Sequence, residues 1–349
     1  MKRSFSFSFL AGLILVTFGT IAGASVKVVA TLPDYADIVK AIGQEQVEVT
    51  AIVRGDQDAH FIRPKPSFAL ALRKADLLVS TGLDLELWLQ TVIDNAGNSR
   101  IRSGQSGYVA AATGMDLLEK PQTFSRSEGG VHVYGNPHVT TSPINMKVAA
   151  HNIAQGLIKA DPLHRDDYEA NLKAWLNTVD QRLFGTELVD LLGGDQLCEL
   201  ARKDQLIGFL EQQTLAGEPL INKLGGWMQQ MLPLRGQSIV TYHKNWVYFL
   251  KLYGLHEAGT VEPKPGIPPS PKHVTGLIQK MKEEQLKIIL AANYFDQQKI
   301  QSVATRTQAT AVIVPLYVGG HAGVDDYLGL MDFWVNHLLE AARQQNMIP

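Results

Sequence analysis

Cysteine is nearly absent from this 349-residue chain: Cys198 stands alone, which excludes an internal disulfide. It lies in LCELARK, a helical-looking stretch with no other cysteine or histidine close by, and is read as a packing residue. Excess charge of either sign is missing too. Lys plus Arg number 32 against 34 Asp plus Glu, a net −2, so there is no broad basic field for nucleic acid or anionic lipid. No segment after the first two dozen residues is apolar enough to span a bilayer. No HExxH, CxxC or HxH supplies a compact metal signature.

What is present begins with MKRSFSFSFLAGLILVTFGTIAGA, which has a cationic start at Lys2 and Arg3, an apolar run from Phe9 to Phe18, and small residues at Ala22 and Ala24. That pattern is a cleavable export signal over 1–24, cut near Ala24, and no cysteine stands at the cut to accept a lipid. The remaining length, about 325 residues, suits two domains.

Short β-branched runs alternate with helical stretches: Val26 to Thr31, Val47 to Val53, Leu77 to Thr81, then Ile239 to Tyr242, Ile288 to Ala292 and Val312 to Leu316. The alternation predicts an α/β fold of two Rossmann-like lobes with mainly parallel sheets. Ser142 and Pro143 offer a capping hydroxyl and a first-turn proline to a helix. After Asp161-Pro162, the residues Tyr168, Leu172, Trp175, Leu176, Val179 and Leu183 fall on one face of a long helix, roughly 35 Å at 1.5 Å per residue. The expected division is 25–160 as one lobe, 161–185 as a stiff connecting helix and 186–349 as the other lobe. The glycine-broken helical stretch from Gly185 to Gly236 has no chemical role that the sequence reveals.

Three histidines share a local setting. His60 follows the second strand across RGDQDAH, His138 sits in YGNPHVTTSP before the capped helix, and His243 directly follows the strand Ile239 to Tyr242. Loops at the carboxyl ends of parallel strands converge on the crevice between lobes, where open α/β sheets place ligands. Taken singly and from spacing alone, each histidine is read first as an ordinary surface or hydrogen-bonded loop residue.

DAHFIRPKPSFALALRKADLLVSTGLDLELWL, NPHVTTSPINMKVAAHNIAQGL and VTYHKNWVYFLKLYGL, in that order, make the chain resemble the cluster A-I solute-binding proteins of zinc and manganese ABC transporters. The resemblance covers most of the mature chain. It implies a periplasmic monomer that captures a transition-metal ion, Zn²⁺ or alternatively Mn²⁺, in the interlobe cleft and delivers it to the membrane permease of an ABC importer. His60, His138 and His243 match the family's ligand histidines. Where many relatives supply an aspartate this chain reads VPLYVGGHAGVDDYLGLM. His321, brought in by the Gly319-Gly320 turn, is the expected fourth ligand, with Asp325, Asp326, Glu262 or a water as competitors.

His132, in GGVHVYG, lies where some relatives carry a zinc-collecting histidine tract, and is read as an exposed loop residue ahead of an accessory ligand. His273 is read as surface, and His151, His164, His256 and His337 as non-ligands. Neutral imidazoles suit zinc, whereas manganese prefers more oxygen, so the missing carboxylate favours zinc. The reading from another class is a zinc hydrolase, which would keep one coordination position open to water beside a general base. No glutamate adjoins the three histidines in sequence.

Overall fold

The structure, a computed structural model, describes residues 25–121, 132–264 and 266–349. The expected export signal over 1–24 lies outside the described residues. Strands β1 (Val26–Ala30), β2 (Val47–Ala51), β3 (Leu77–Ser80) and β4 (Tyr108–Ala110) pair in parallel in the order β2-β1-β3-β4. A short antiparallel hairpin, β5 (Thr214–Leu215) and β6 (Glu218–Pro219), comes next. A second parallel sheet follows from β7 (Ser238–Thr241), β8 (His256–Thr260), β9 (Ile288–Ala292) and β10 (Thr310–Val314), ordered β10-β9-β7-β8.

Parallel neighbours need crossover connections, and helices supply most of them. In the first part these are α1 (Pro33–Gly43), α2 (Pro66–Lys74) and α3 (Leu89–Ala96). Helices α4 (Pro143–Ala160) and α5 (Arg165–Phe184) fill the middle of the chain. The glycine-broken insertion folds as α6 (Thr186–Leu192), α7 (Gly194–Arg202), α8 (Leu206–Gln212) and α9 (Gly226–Met231). Around the second sheet lie α10 (Val247–Tyr253), α11 (Pro271–Glu283), α12 (Gln297–Thr307) and the final α13 (Tyr327–Gln344). No described helix is long and apolar enough to cross a membrane.

The central strands β3 and β9 are buried along their whole length, the mark of a sheet covered on both faces. All six strands expected from β-branched runs are present; the two strands of the short hairpin and two strands of the parallel sheets were missed. In β4 the signal is only three residues long, and β8 reads HEAGT, without an apolar run. Helix α5 buries Tyr168, Leu172, Trp175, Val179 and Leu183 as the periodicity requires, while Leu176 is half-buried. Its 20 residues amount to about 30 Å, slightly shorter than expected. It ends where Gly185, at φ 85°, lies against Gly225: a Cβ on Gly185 would meet the Gly225 Cα at 2.7 Å. At the start of α4, Pro143 occupies the first turn as expected, but the Ser142 hydroxyl makes no capping bond. The helix start therefore rests on the proline's fixed φ.

One apolar core runs through both sheets and the helices between them. Trp246, Phe249 and Trp334 meet edge to face in it, with Trp246 and Trp334 5.0 Å apart, and the Trp334 indole donates to the Pro315 carbonyl. Polar bonds also join α1 to the segment that runs from β10 into α13. Asp34, fully buried in the first turn of α1, accepts from the Val318 N–H at 2.8 Å, and Asp37 accepts from the Tyr327 N–H at 2.9 Å.

Burial pushes the Asp34 carboxyl up to about 7, against hydrogen bonds from Val318 and Thr140 that lower it, and the nearby Asp37 raises it further. The folded chain thus holds this proton more tightly than the unfolded chain does. Its stabilising contribution is complete below the ordinary carboxylate value and is lost as pH rises through about 7. Asp34→Asn keeps an oxygen for the Val318 N–H and removes the titration. In paired denaturant melts at pH 4 and pH 8, the variant should gain on the wild type by up to about 4 kcal/mol at the higher pH, at 1.36 kcal/mol per unit. An equal difference at both pH values would contradict this assignment.

Candidate metal site

The site is assembled from four loops. Past β2, Asp58 starts a single turn of 3₁₀-helix, Ala59–Phe61; one carboxylate oxygen accepts from the His60 backbone N–H at 2.9 Å and from His60 Nδ1 at 2.7 Å. The Trp88 indole donates to the Ala59 carbonyl at 2.8 Å and pins this turn from the segment that follows β3. That segment, GLDLELWL, carries three polar handles at alternate positions. Trp88 holds the His60 turn. Glu86, buried, accepts from the Thr31 hydroxyl and from both the N–H and hydroxyl of Thr81, tying together the ends of β1 and β3. Burial raises its pKa against those hydrogen bonds. Asp84 accepts from His132 Nδ1 at 3.0 Å and from the Val133 N–H at 2.8 Å.

His138 is held by asparagines. Asn136 accepts from the His138 N–H at 3.0 Å and donates to the Lys244 carbonyl at 2.7 Å, so one side chain braces the His138 loop against the residue beside His243. The Tyr248 hydroxyl donates to the Asn136 carbonyl. The Asn245 amide lies 3.3 Å from His138 Nε2, and His138 Nδ1 is buried with no hydrogen-bond partner. His243 leaves β7 with its Nδ1 donating to the Glu262 carbonyl at 3.1 Å.

These loops gather four imidazoles. Ring centroids are 5.2 Å apart for His60 and His132, 5.0 Å for His60 and His138, 6.2 Å for His132 and His138, and 6.4 Å for His138 and His243. His60, His132 and His138 each offer a nitrogen within 4.8 Å of the other two. Burial pushes the His138 pKa well below the ordinary imidazole value, and the three neighbouring histidines push it further. Burial likewise lowers His243 to about 4, against the raising effect of its bond to the Glu262 carbonyl. Both therefore stay neutral, with a lone pair available, under mildly acidic conditions. The arrangement can hold a divalent transition-metal cation: the donors are imidazoles, their outer nitrogens are fixed, and one buried nitrogen lacks a partner.

The structure thus brings together His60, His138 and His243, but it places His321 elsewhere. His321 is exposed, its Nδ1 donates to the Ala322 carbonyl, and its ring lies 4.8 Å from that of Phe333. The Gly319-Gly320 turn does permit a close backbone approach, but the partner is Gly55. A Cβ on Gly320 would meet the Gly55 carbonyl oxygen at 2.4 Å, and one on Gly55 the Gly320 nitrogen at 2.2 Å. The two glycines let the loop after β10 dock on the loop leading to His60.

Among the competitors, Asp326 caps α13 through the Gly329 N–H, Asp325 is exposed, and a Glu262 carboxylate oxygen accepts from the Gly266 N–H. His132, read from the sequence as an exposed loop residue, is instead part of the cluster. The signal that could have found it was Asp84 in GLDLELW, a carboxylate with no helix or strand to explain it. His273 is half-buried rather than on the surface and bonds the Thr260 carbonyl. His164 pairs with Asp161, and His151, His256 and His337 are exposed.

A sequence model described as "Zinc-uptake complex component A periplasmic" matches residues 28–182 and 215–341. The chain is 25% identical over 350 residues to a metal ABC transporter substrate-binding lipoprotein, FimA, of Streptococcus parasanguinis, covering 96% of each. It is 24% identical over 318 residues to the manganese ABC transporter substrate-binding lipoprotein PsaA of Streptococcus pneumoniae, covering 88% of this chain and 85% of that one. Its fold superposes on a zinc-bound deletion mutant of ZnuA with a TM-score of 0.66 at 23% identity, over 91% of this chain and 98% of that one.

Proposed function

Because this chain belongs to the zinc-uptake complex component A family, the periplasmic metal-binding components of ABC importers, we propose that its cargo is zinc and that His60, His138 and His243 bind it. The observation that carries the choice of metal is the use made of the carboxylates. Asp58 and Asp84 are each committed to the Nδ1 of a histidine, so the groups left for the cargo are imidazole nitrogens. Nitrogen donors in a four-coordinate shell suit zinc, and manganese draws on more oxygen.

In this reading the mature chain starts near Ser25, works in the periplasm as a monomer, and consists of lobes 25–160 and 186–349 joined by 161–185. His243 is contributed by the second sheet and the other ligands by loops of the first half. A transporter that separates the lobes would withdraw His243 and release the ion to the permease. A hydrolase would need a carboxylate free to take a proton from metal-bound water, and Asp58 and Asp84 are already engaged by histidines.

The test is metal content and competition. Chain purified from a periplasmic extract should carry one zinc, and a hundredfold excess of manganese should not displace it. Manganese recovered in place of zinc would reject the choice of cargo, and a chain that holds no transition metal would reject the site.

A further inference from the structure

We infer that His132 is the fourth ligand of the cargo ion, coordinating through Nε2, and that Asp84 is the residue that positions it; the inference rests on the reading of this cluster as a metal site.

Its basis is the contact between His60 and His132, whose Nε2 atoms face each other at 3.2 Å. Each ring turns its Nδ1 toward a separate carboxylate, His60 toward Asp58 at 2.7 Å and His132 toward Asp84 at 3.0 Å. An ionised carboxylate only accepts hydrogen bonds, so each Nδ1 carries the proton and, in a neutral ring, each Nε2 carries a bare lone pair. Two lone pairs pointed at one another repel. A cation bound by both relieves this, and the spacing is right for one: zinc–nitrogen bonds of about 2.0–2.1 Å in a tetrahedron put adjacent nitrogens about 3.3–3.4 Å apart.

Asp84 fixes more than the ring. Its second oxygen takes the Val133 N–H at 2.8 Å, and the Gly135 N–H closes a turn on the His132 carbonyl at 3.2 Å. Side chain and backbone of His132 are thus anchored by one carboxylate at the end of the first sheet's third strand. A carboxylate placed behind the ring in this way is the usual partner of a metal-bound histidine.

Cobalt(II) reports the shell directly, because four-coordinate cobalt absorbs visible light far more strongly than five- or six-coordinate cobalt. The apoprotein loaded with cobalt should show the intense four-coordinate bands. His132→Gln should weaken them and lower zinc affinity by about two decades or more, as for the loss of a ligand, and Asp84→Asn, which keeps the ligand but loosens it, should lower affinity by about tenfold. Unchanged bands and unchanged zinc affinity in His132→Gln would overturn this inference, leave the three-histidine site standing, and mean that His60 and His132 merely share a proton. A wild type that takes up neither cobalt nor zinc would overturn the underlying metal reading as well. Circular dichroism of each variant guards against misfolding, and Asp84→Asn provides a second variant that leaves every histidine in place.

Discussion

His138→Ala should lose nearly all tightly held zinc while the fold survives. Zinc held by four protein ligands binds with about 10–16 kcal/mol, roughly 3 kcal/mol per ligand, so removing one costs two to three decades of affinity. His138 should lie at the upper end. It is 3% exposed, sits between two asparagines, and owns the one ring nitrogen in the cluster that is buried without a partner. An alanine there leaves a small polar-walled cavity for which water is a poor substitute. Asn136 still donates to the Lys244 carbonyl, so the loops stay in place.

A chelator competition series on wild type, His138→Ala and His321→Ala would separate site from surface. His321→Ala should match the wild type, since that ring is exposed and packs against Phe333. Wild-type affinity in His138→Ala would remove the cluster from consideration as the cargo site. A thermal-shift assay gives an independent reading: zinc at a thousandfold excess over Kd stabilises the wild type by about 4 kcal/mol and should barely move the variant.

Lys147→Met should be the most destabilising single change away from the site. Lys147, on α4, donates to both carboxylate oxygens of Asp180 on α5 at 2.7 and 2.8 Å, and both side chains are nearly buried. The Cys198 thiol closes the group, 3.4 Å from Asp180 and 3.5 Å from Lys147, with burial pushing its pKa up to about 12. Cys198 is therefore a buried, protonated donor in a polar knot and not only the apolar filler the sequence suggested. Methionine at 147 leaves the Asp180 carboxylate in the core without its counter-ion, which costs about 3–5 kcal/mol.

At about 2.1 cal/mol/K per residue, that loss lowers the melting temperature of a chain this size by roughly 6 °C. The double variant Lys147→Met/Asp180→Leu removes both charges and should recover most of the loss, because well-packed apolar replacements of a buried pair are often neutral. A single variant that melts with the wild type would show that water already reaches the pair. Zinc affinity should be unchanged in either variant, since the pair bonds none of the four histidines.

The fold was legible where the signal was local. The α5 stripe from Tyr168 to Leu183 and the six β-branched strands depend on side-chain periodicity, which is a property of consecutive residues. β8 was not legible, because HEAGT pairs with β7 through its backbone and owes its place to the neighbouring strand. The fourth histidine was illegible for a related reason. His321 and His132 both lie in glycine-containing loops, and nothing local distinguishes them.

By itself, then, the sequence determined the two parallel sheets and the long helix between them, because strand ends and helix stripes are written in neighbouring residues, while three of the clustered histidines came from its resemblance to a family. Tertiary structure alone decided the company those histidines keep. Asp84 reaches His132 across 48 positions, and Gly55 and Gly320 touch across the molecule. Such contacts depend on which backbones the whole fold can bring within bonding distance, and no local pattern encodes that distance.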